Sequence, residues 1–82
     1  MKEGFHNFVM VLYLFYCPVF ISVVINRPKI LQILLDHGAD INIQNQKSQE
    51  TPLFRSIILK HYEISLLLLR NGANPNICNS VQ

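Results

Sequence analysis

The sequence predicts an all-α fold in which a pair of short helices occurs twice, and three observations support this prediction. First, two segments, 17–42 and 51–76, align with a constant offset of 34 residues. Second, each segment contains two short stretches with helical apolar periodicity. Third, the second stretch of each segment ends at a glycine, Gly38 or Gly72. We therefore expect a fragment of a helical solenoid, two units long, with an apolar segment before it.

The offset of 34 residues places identical residues at nine positions. The pairs are Pro18 and Pro52, Phe20 and Phe54, Ser22 and Ser56, Ile30 and Ile64, Leu34 and Leu68, Leu35 and Leu69, Gly38 and Gly72, Ala39 and Ala73, and Asn42 and Asn76. Most of the remaining positions exchange one apolar residue for another, as at Val23 and Ile57. This agreement indicates an internal repeat, in which each unit buries an apolar face against its neighbour.

The first helix of the second unit is predicted over 52–60. Thr51 is a good N-cap because its hydroxyl can accept a hydrogen bond from a free backbone N–H. Proline is favoured at the first helical position, where Pro52 stands. We expect an apolar stripe of three residues to face the core and two cations to face water. The stripe is Leu53, Ile57 and Ile58, and the cations are Arg55 and Lys60.

The second helix of this unit is predicted over 63–71, with Ile64, Leu67 and Leu68 on its buried face. Gly72 follows as a residue that can end a helix with positive φ. The first unit shows the same order, so we expect helices over 18–26 and 29–37, opened by Cys17 and Pro18. Residues 44–50 are polar and lack apolar periodicity, which predicts a loop.

These residues resemble the ankyrin repeat family. The family motif has the form TPLH, GHxEVV and LLLxxGADVN, and the chain has TPLF at 51–54, HYE at 61–63 and LLLRNGANPN at 67–76. DHGADIN at 36–42 matches the second half of the motif in the first unit. The resemblance implies structural roles for the matching residues. They are Pro18, Gly38, Ala39, Asn42, Thr51, Pro52, Leu53, His61, Gly72, Ala73 and Asn76.

The resemblance divides the chain into an apolar leader or cap (1–16), a first repeat (17–49) and a second repeat (50–82). The second repeat includes the start of a further loop. Several residues depart from the family pattern. Phe20 and Phe54 replace the histidine of TPLH, and Asn26 and Lys60 replace a glycine between the helices. Cys17 replaces the capping threonine, which weakens that helix start by about 1 kcal/mol.

These departures, and a loop between Gly38 and Thr51 that is one residue longer than in the family, indicate a divergent member. The high frequency of Ile and Asn is common in AT-rich genomes, such as those of some viruses and intracellular bacteria. Two repeats seldom bury enough surface alone, since about three are usually needed. We therefore expect a truncated member of a viral or intracellular-bacterial ankyrin protein, located in the cytoplasm, which could be that of a host cell.

An apolar run from Phe8 to Ile25 allows a second interpretation. Its eighteen residues approach the length of a membrane-spanning helix, and a cation, Lys2, precedes it. Against this, residues 17–25 align with the first helix of the second repeat, and Pro18 has a role in that helix. The alternatives to a simple repeat fragment are thus a small membrane-anchored protein with residues 8–25 spanning, or a non-functional remnant of a larger ankyrin-repeat protein.

Composition argues against several classes of function. The net charge of +2 comes from scattered residues without a basic run, so we expect no nucleic-acid partner. Cys17 and Cys78 show no metal-site spacing. Asp36, His37 and Asp40 cluster near one helix end, but solvated polar residues explain them better than a metal site does. No nucleophile–base grouping or phosphate-binding loop is present in the sequence, so we expect neither catalysis nor a cofactor.

The remaining function is binding of an unidentified protein partner, because stacked repeats present an extended surface. The resemblance implies binding through the loop tips and the concave face of the first helices. The candidate partner-binding residues are Ile43, Gln44, Asn45, Gln46, Lys47 and Arg55. We also expect Ile21, Ser22 and Ser56 on the concave face. Self-association is expected if the apolar leader stays exposed.

Overall fold

The computed structural model describes residues 18–77, which form four α-helices. They are α1 (Pro18–Val24), α2 (Pro28–Asp36), α3 (Pro52–Ile58) and α4 (Tyr62–Arg70). Helices α1 and α2 form the first pair, and α3 and α4 form the second. The second pair stacks on the first, with α3 against α1 and α4 against α2. No strand occurs in this part of the chain, and the predicted all-α stack is confirmed.

The helix starts follow from proline and threonine chemistry. Proline is the first residue of α1, α2 and α3, where its missing N–H costs no hydrogen bond. Thr51 caps α3, because its Oγ1 accepts a hydrogen bond from the backbone N–H of Phe54 at 3.2 Å. The predicted capping role of Cys17 falls outside the described residues, as do the leader (1–16) and Cys78.

All four helices end in the same hydrogen-bonded turn. At the end of α3, the N–H of Lys60 donates to the carbonyl of Ile57 (3.0 Å) and the N–H of His61 donates to that of Ser56 (2.9 Å). This pair of bonds is a Schellman motif. The motif needs positive φ at the residue that follows the helix C-cap, which is Lys60 in this turn. The residues in that position are Asn26 (φ +60°), Gly38 (+90°), Lys60 (+62°) and Gly72 (+92°).

The Schellman turns correct two of the predicted boundaries. Helices α1 and α3 end at Val24 and Ile58 rather than at 26 and 60, because Asn26 and Lys60 have already left the helical region. Glycine is absent at those two turns, so a residue with a side chain takes the left-handed conformation. Asparagine tolerates this conformation better than other residues do, whereas lysine has no such advantage.

Lys60→Gly is therefore expected to raise the free energy of unfolding. Relief of the left-handed strain outweighs the greater unfolded-state entropy of glycine, leaving a gain of about 0.5 kcal/mol. Lys60→Ala is the matched control, because it removes the charge and the alkyl stem but keeps Cβ. Urea denaturation should show stabilisation for glycine alone. Equal stabilisation by alanine would show that loss of the charge, and not relief of backbone strain, raises the free energy of unfolding.

The core lies between the two pairs. Seven apolar residues are buried together, namely Val19, Val23, Leu31, Leu53, Ile64, Leu68 and Ala73. One polar contact interrupts this core, where the hydroxyls of Ser56 and Ser65 lie 2.7 Å apart. Ser56 also donates to the carbonyl of Leu53 at 2.7 Å, so its hydroxyl is satisfied inside the core. The buried serines therefore link α3 to α4 without leaving an unpaired polar group.

The prediction of the buried face of α3 was partly wrong. Leu53 is buried as expected, but Ile57 and Ile58 are 49% and 54% exposed, and Ser56 occupies the buried position instead. Helix α3 has only seven residues, and its inward face is completed by Leu53 and Ser56, three positions apart. In α4, Ile64 and Leu68 are buried as predicted, and Leu67 is half-buried.

Among residues 18–77, no helix has both the length and the apolar character that crossing a membrane requires. The end of the apolar run Phe8–Ile25 forms α1, in which Val19, Phe20 and Val23 are buried. This segment therefore has the place in the stack that the repeat alignment predicts. The membrane alternative also concerns residues 8–17, which lie outside the described part of the chain.

Candidate functional site

The loop that joins the two pairs is organised by Asn45. Its side-chain Oδ1 accepts hydrogen bonds from the backbone N–H groups of Lys47 (2.8 Å) and Ser48 (3.1 Å). Its backbone N–H donates to the carbonyl of Glu50 at 2.8 Å, and its carbonyl accepts from the N–H of Gln49 at 2.7 Å. These four bonds close the tip of the loop into a fixed turn, in which Gln49 has φ of +62°.

An ion pair connects this loop to α3. Arg55 Nη2 lies 2.6 Å from Glu50 Oε1, with 35% of the Arg55 side chain and 14% of the Glu50 side chain exposed. The Oε1 atom is buried and accepts no aligned hydrogen bond. We therefore regard the contact as a charge pair, whose short distance outweighs its imperfect alignment. The pair holds the guanidinium beside the loop.

A groove of about 300 Å³ lies where α1, the loop and α3 meet. Its lining residues are Phe20, Ile21, Val24, Ile25, Asn45 and Arg55. Val24 and Ile25 are 51% and 48% exposed, so the groove presents apolar surface to solvent. The two polar lining residues are Asn45, which belongs to the loop, and Arg55, which belongs to α3. The groove is thus an apolar wall with a polar rim, as in sites that bind apolar groups of a ligand.

The structure brings only some of the candidate partner-binding residues together. Asn45 and Arg55 line the groove, next to Ile21. Gln44, Gln46 and Lys47 are exposed elsewhere on the loop. Ile43 is half-buried and lines a different hollow, described below.

Two residues expected on the concave face are not there. Ser22 and Ser56 are 1% and 0% exposed, so neither is available to a partner. Each hydroxyl donates to a carbonyl three residues earlier, Val19 for Ser22 and Leu53 for Ser56. A serine can therefore point inward from a short helix without losing a hydrogen bond. The expectation that Ser22 and Ser56 lie on the partner-binding concave face was therefore wrong.

The motif residues mostly act within the stack. Pro52, Leu53 and Ala73 are buried, and Ala39 packs against the core. Asn42 joins the two pairs, because its Oδ1 accepts a hydrogen bond from the backbone N–H of Asn74 at 2.8 Å. His61 precedes α4 and makes no side-chain cap.

The remaining motif residues lie at helix starts and turns. Pro18 is exposed at the start of α1. The N–H of Asn76 donates to Oδ1 of Asn74 at 2.9 Å, as the N–H of Asn42 does to Asp40 at 3.0 Å. The same turn thus follows both glycines.

A second hollow, of about 490 Å³, lies on the side of the first pair that faces away from the second pair. Its lining residues are Pro18, Val19, Leu34, His37, Gly38, Ala39, Asp40 and Ile43. His37 Nδ1 is 2.8 Å from the carbonyl of Ile33, and the Oδ1 of Asp36 accepts from Gln32 at 2.8 Å. No three metal-ligating side chains between residues 18 and 77 are grouped as a metal site.

Three groove residues were not among the binding residues predicted from the sequence, namely Phe20, Val24 and Ile25. Two signals could have found the site. Phe20 stands where the family motif has a histidine, and Val24 and Ile25 extend an apolar run past the buried face of a short helix. Both signals require knowing that the loop folds back over α1.

A comparison with protein-family models gives a match over most of the chain. The family model described as ankyrin repeats (3 copies) matches residues 6–79. This range begins at His6 and covers the whole described stack. No curated protein matches the chain.

Proposed function

Because the chain belongs to the ankyrin repeat family, we propose that it is a non-catalytic module that binds another protein in the groove between α1 and the loop. Members of this family generally mediate protein–protein interaction. The observation that carries the proposal is the half-exposed apolar wall of the groove, formed by Val24 and Ile25 beside Arg55 and Asn45. Solvent-exposed apolar surface with a polar rim is typical of a binding site.

The chemistry of the groove defines the kind of group it accepts. Four apolar side chains favour an aliphatic or aromatic side chain of the partner, since its burial removes apolar surface from water. Arg55 is already paired with Glu50, so the partner does not need a carboxylate at this point. The fixed turn around Asn45 presents loop groups at the rim without a large ordering cost on binding.

Val24→Glu tests the groove directly. Val24 is 51% exposed, so the substitution should leave the stack folded while placing a carboxylate in the apolar wall. We expect the amount of partner captured from a cytoplasmic extract to fall by about tenfold or more, because the charge would lose its hydration on binding. Capture is measured with immobilised chain and quantitative mass spectrometry.

Ile58→Glu is the matched control. Ile58 holds the position equivalent to Val24, is 54% exposed and is likewise the last residue of its helix. Both carboxylates therefore meet the same unfavourable helix end, but only Val24 lines the groove. Protein partners that bind wild type and the control, but not Val24→Glu, would support the proposal. Equal loss with both variants, or no loss with either, would contradict it.

The membrane-anchored alternative has a different requirement. A span over residues 8–25 would remove Val19, Phe20 and Val23 from the core, where they are buried. The stack would then lose the helix on which α3 packs. We therefore propose the cytoplasm as the compartment, which also fits two cysteines without a disulfide framework. Retention of the chain in membranes after an alkaline wash would favour the anchor.

A further inference from the structure

The two helix pairs have the same sequence pattern but different neighbours, and their exposure differs accordingly. In the second pair, four residues that pack on the first pair are buried, namely Pro52, Ile64, Leu68 and Ala73. Their equivalents in the first pair are Pro18, Ile30, Leu34 and Ala39. Pro18 is exposed, Ile30 is 46% exposed, and Leu34 and Ala39 are half-buried. We call these four residues of the first pair the head face.

The opposite end shows the reverse difference. In the first pair, Phe20 and Val23 are 6% and 0% exposed beneath the second pair. Their equivalents Phe54 and Ile57 are 36% and 49% exposed. Likewise, Gln32 and Leu35 are half-buried, whereas Leu66 and Leu69 are 52% and 45% exposed. We call Phe54, Ile57, Leu66 and Leu69 the tail face.

The head face carries the same residue types as the surface that already packs inside the molecule. Proline, isoleucine, leucine and alanine stand at these four positions in both pairs. The tail face also preserves its internal counterpart, with phenylalanine and leucine unchanged and valine replaced by isoleucine. Leu66 stands in place of Gln32 and makes the tail face more apolar. Each end of the stack formed by residues 18–77 therefore matches one side of the internal interface.

We propose that the tail face binds the head face of a second copy of this chain, continuing the stack from one molecule to the next. In this arrangement, α1 and α2 of the second copy pack on the tail face. They take the place that α3 and α4 have against α1 and α2 within one molecule. A polar contact sets the register inside the molecule, where Asn42 accepts from the backbone N–H of Asn74 at 2.8 Å. Between copies, the equivalent acceptor is Oδ1 of Asn76 in one copy, and the equivalent donor is the backbone N–H of Asp40 in the other.

One internal contact is not reproduced between copies. Asn71 and Gln32 exchange hydrogen bonds at 3.2 and 3.3 Å between α4 and α2. Their equivalents across the new interface are His37 and Leu66, which cannot form that pair. The contact between molecules is therefore more apolar than the contact within one. Because head and tail are different surfaces, the association is heterologous and adds copies in a line rather than closing as a symmetric dimer.

Sedimentation equilibrium of the full chain tests this arrangement. The average mass of wild type should rise with concentration in the micromolar range. Leu66→Glu on the tail face and Ile30→Glu on the head face should each weaken association by about tenfold or more, since each would bury a carboxylate without a partner. Ile58→Glu lies on neither face and should associate as wild type does.

Mixing the two face variants gives the sharpest result. Ile30→Glu keeps an intact tail and Leu66→Glu keeps an intact head, so an equimolar mixture should form one-to-one dimers and nothing larger. A circular dichroism spectrum confirms that each variant is folded. Monomeric wild type, undiminished association in either face variant, or a mixture that forms no dimer would overturn the proposal. Undiminished association would instead indicate another apolar segment, such as residues 8–16.

Discussion

Leu68→Ala is expected to lower the free energy of unfolding by about 3 kcal/mol, because it leaves a cavity in the core. Leu68 is fully buried, and it packs with residues of α1, α2 and α3. A domain of this size has marginal stability, so the loss is a large share of the total. Urea denaturation should be measured at concentrations low enough to keep the chain monomeric.

Leu66→Ala is the control for this change. It removes the same atoms from the same helix, but Leu66 is 52% exposed. The expected loss is under about 0.5 kcal/mol, as for surface substitutions in general. Similar losses for the two variants would mean that α4 does not present Leu68 to the core and Leu66 to solvent, and the proposed stacking of the pairs would be wrong.

Gly72→Val is expected to cost about 2 kcal/mol through backbone strain. Gly72 has φ of +92°, which a β-branched residue strongly disfavours. An added Cβ would meet no atom within 4 Å, so the Cβ itself causes no crowding and the expected cost is that of the backbone conformation. The measurement is the free energy of unfolding in urea, compared with that of wild type.

Gly72→Asn separates strain from other effects of a side chain at this position. Asparagine enters the left-handed region more readily than valine, so its loss should be clearly smaller. If valine and asparagine destabilise equally, backbone strain is not the cause. An unchanged melting temperature for valine would show that Gly72 does not need positive φ.

The sequence predicted the helical repeat because local chemistry determines most of it. Thr51 and Pro52 start a helix wherever an apolar stripe follows, and a glycine such as Gly72 ends one. These signals placed every helix boundary within two residues. The largest errors, of two residues each, came from Asn26 and Lys60, which take positive φ without being glycine. Only the hydrogen bonds of the Schellman turn require that conformation.

Exposure could not be predicted in the same way, because it depends on neighbours in space. Val23 and Ile57 are equivalent in sequence, yet one is fully buried and the other half-exposed. The difference arises because the second pair covers Val23 and no described residue covers Ile57 to the same extent. The groove was missed for the same reason, since Asn45 reaches α1 only through the fold of the loop.

Site-specific photo-crosslinking tests whether the groove between α1 and the loop binds a protein. A photo-reactive residue in place of Ile25 lies in the groove, and one in place of Ile33 lies on α2 outside it. Both positions are about half-exposed, at 48% and 57%. We expect crosslinks from position 25 to a protein other than this chain, and few from position 33. Crosslinks from position 33 alone, or from neither position, would contradict the claim.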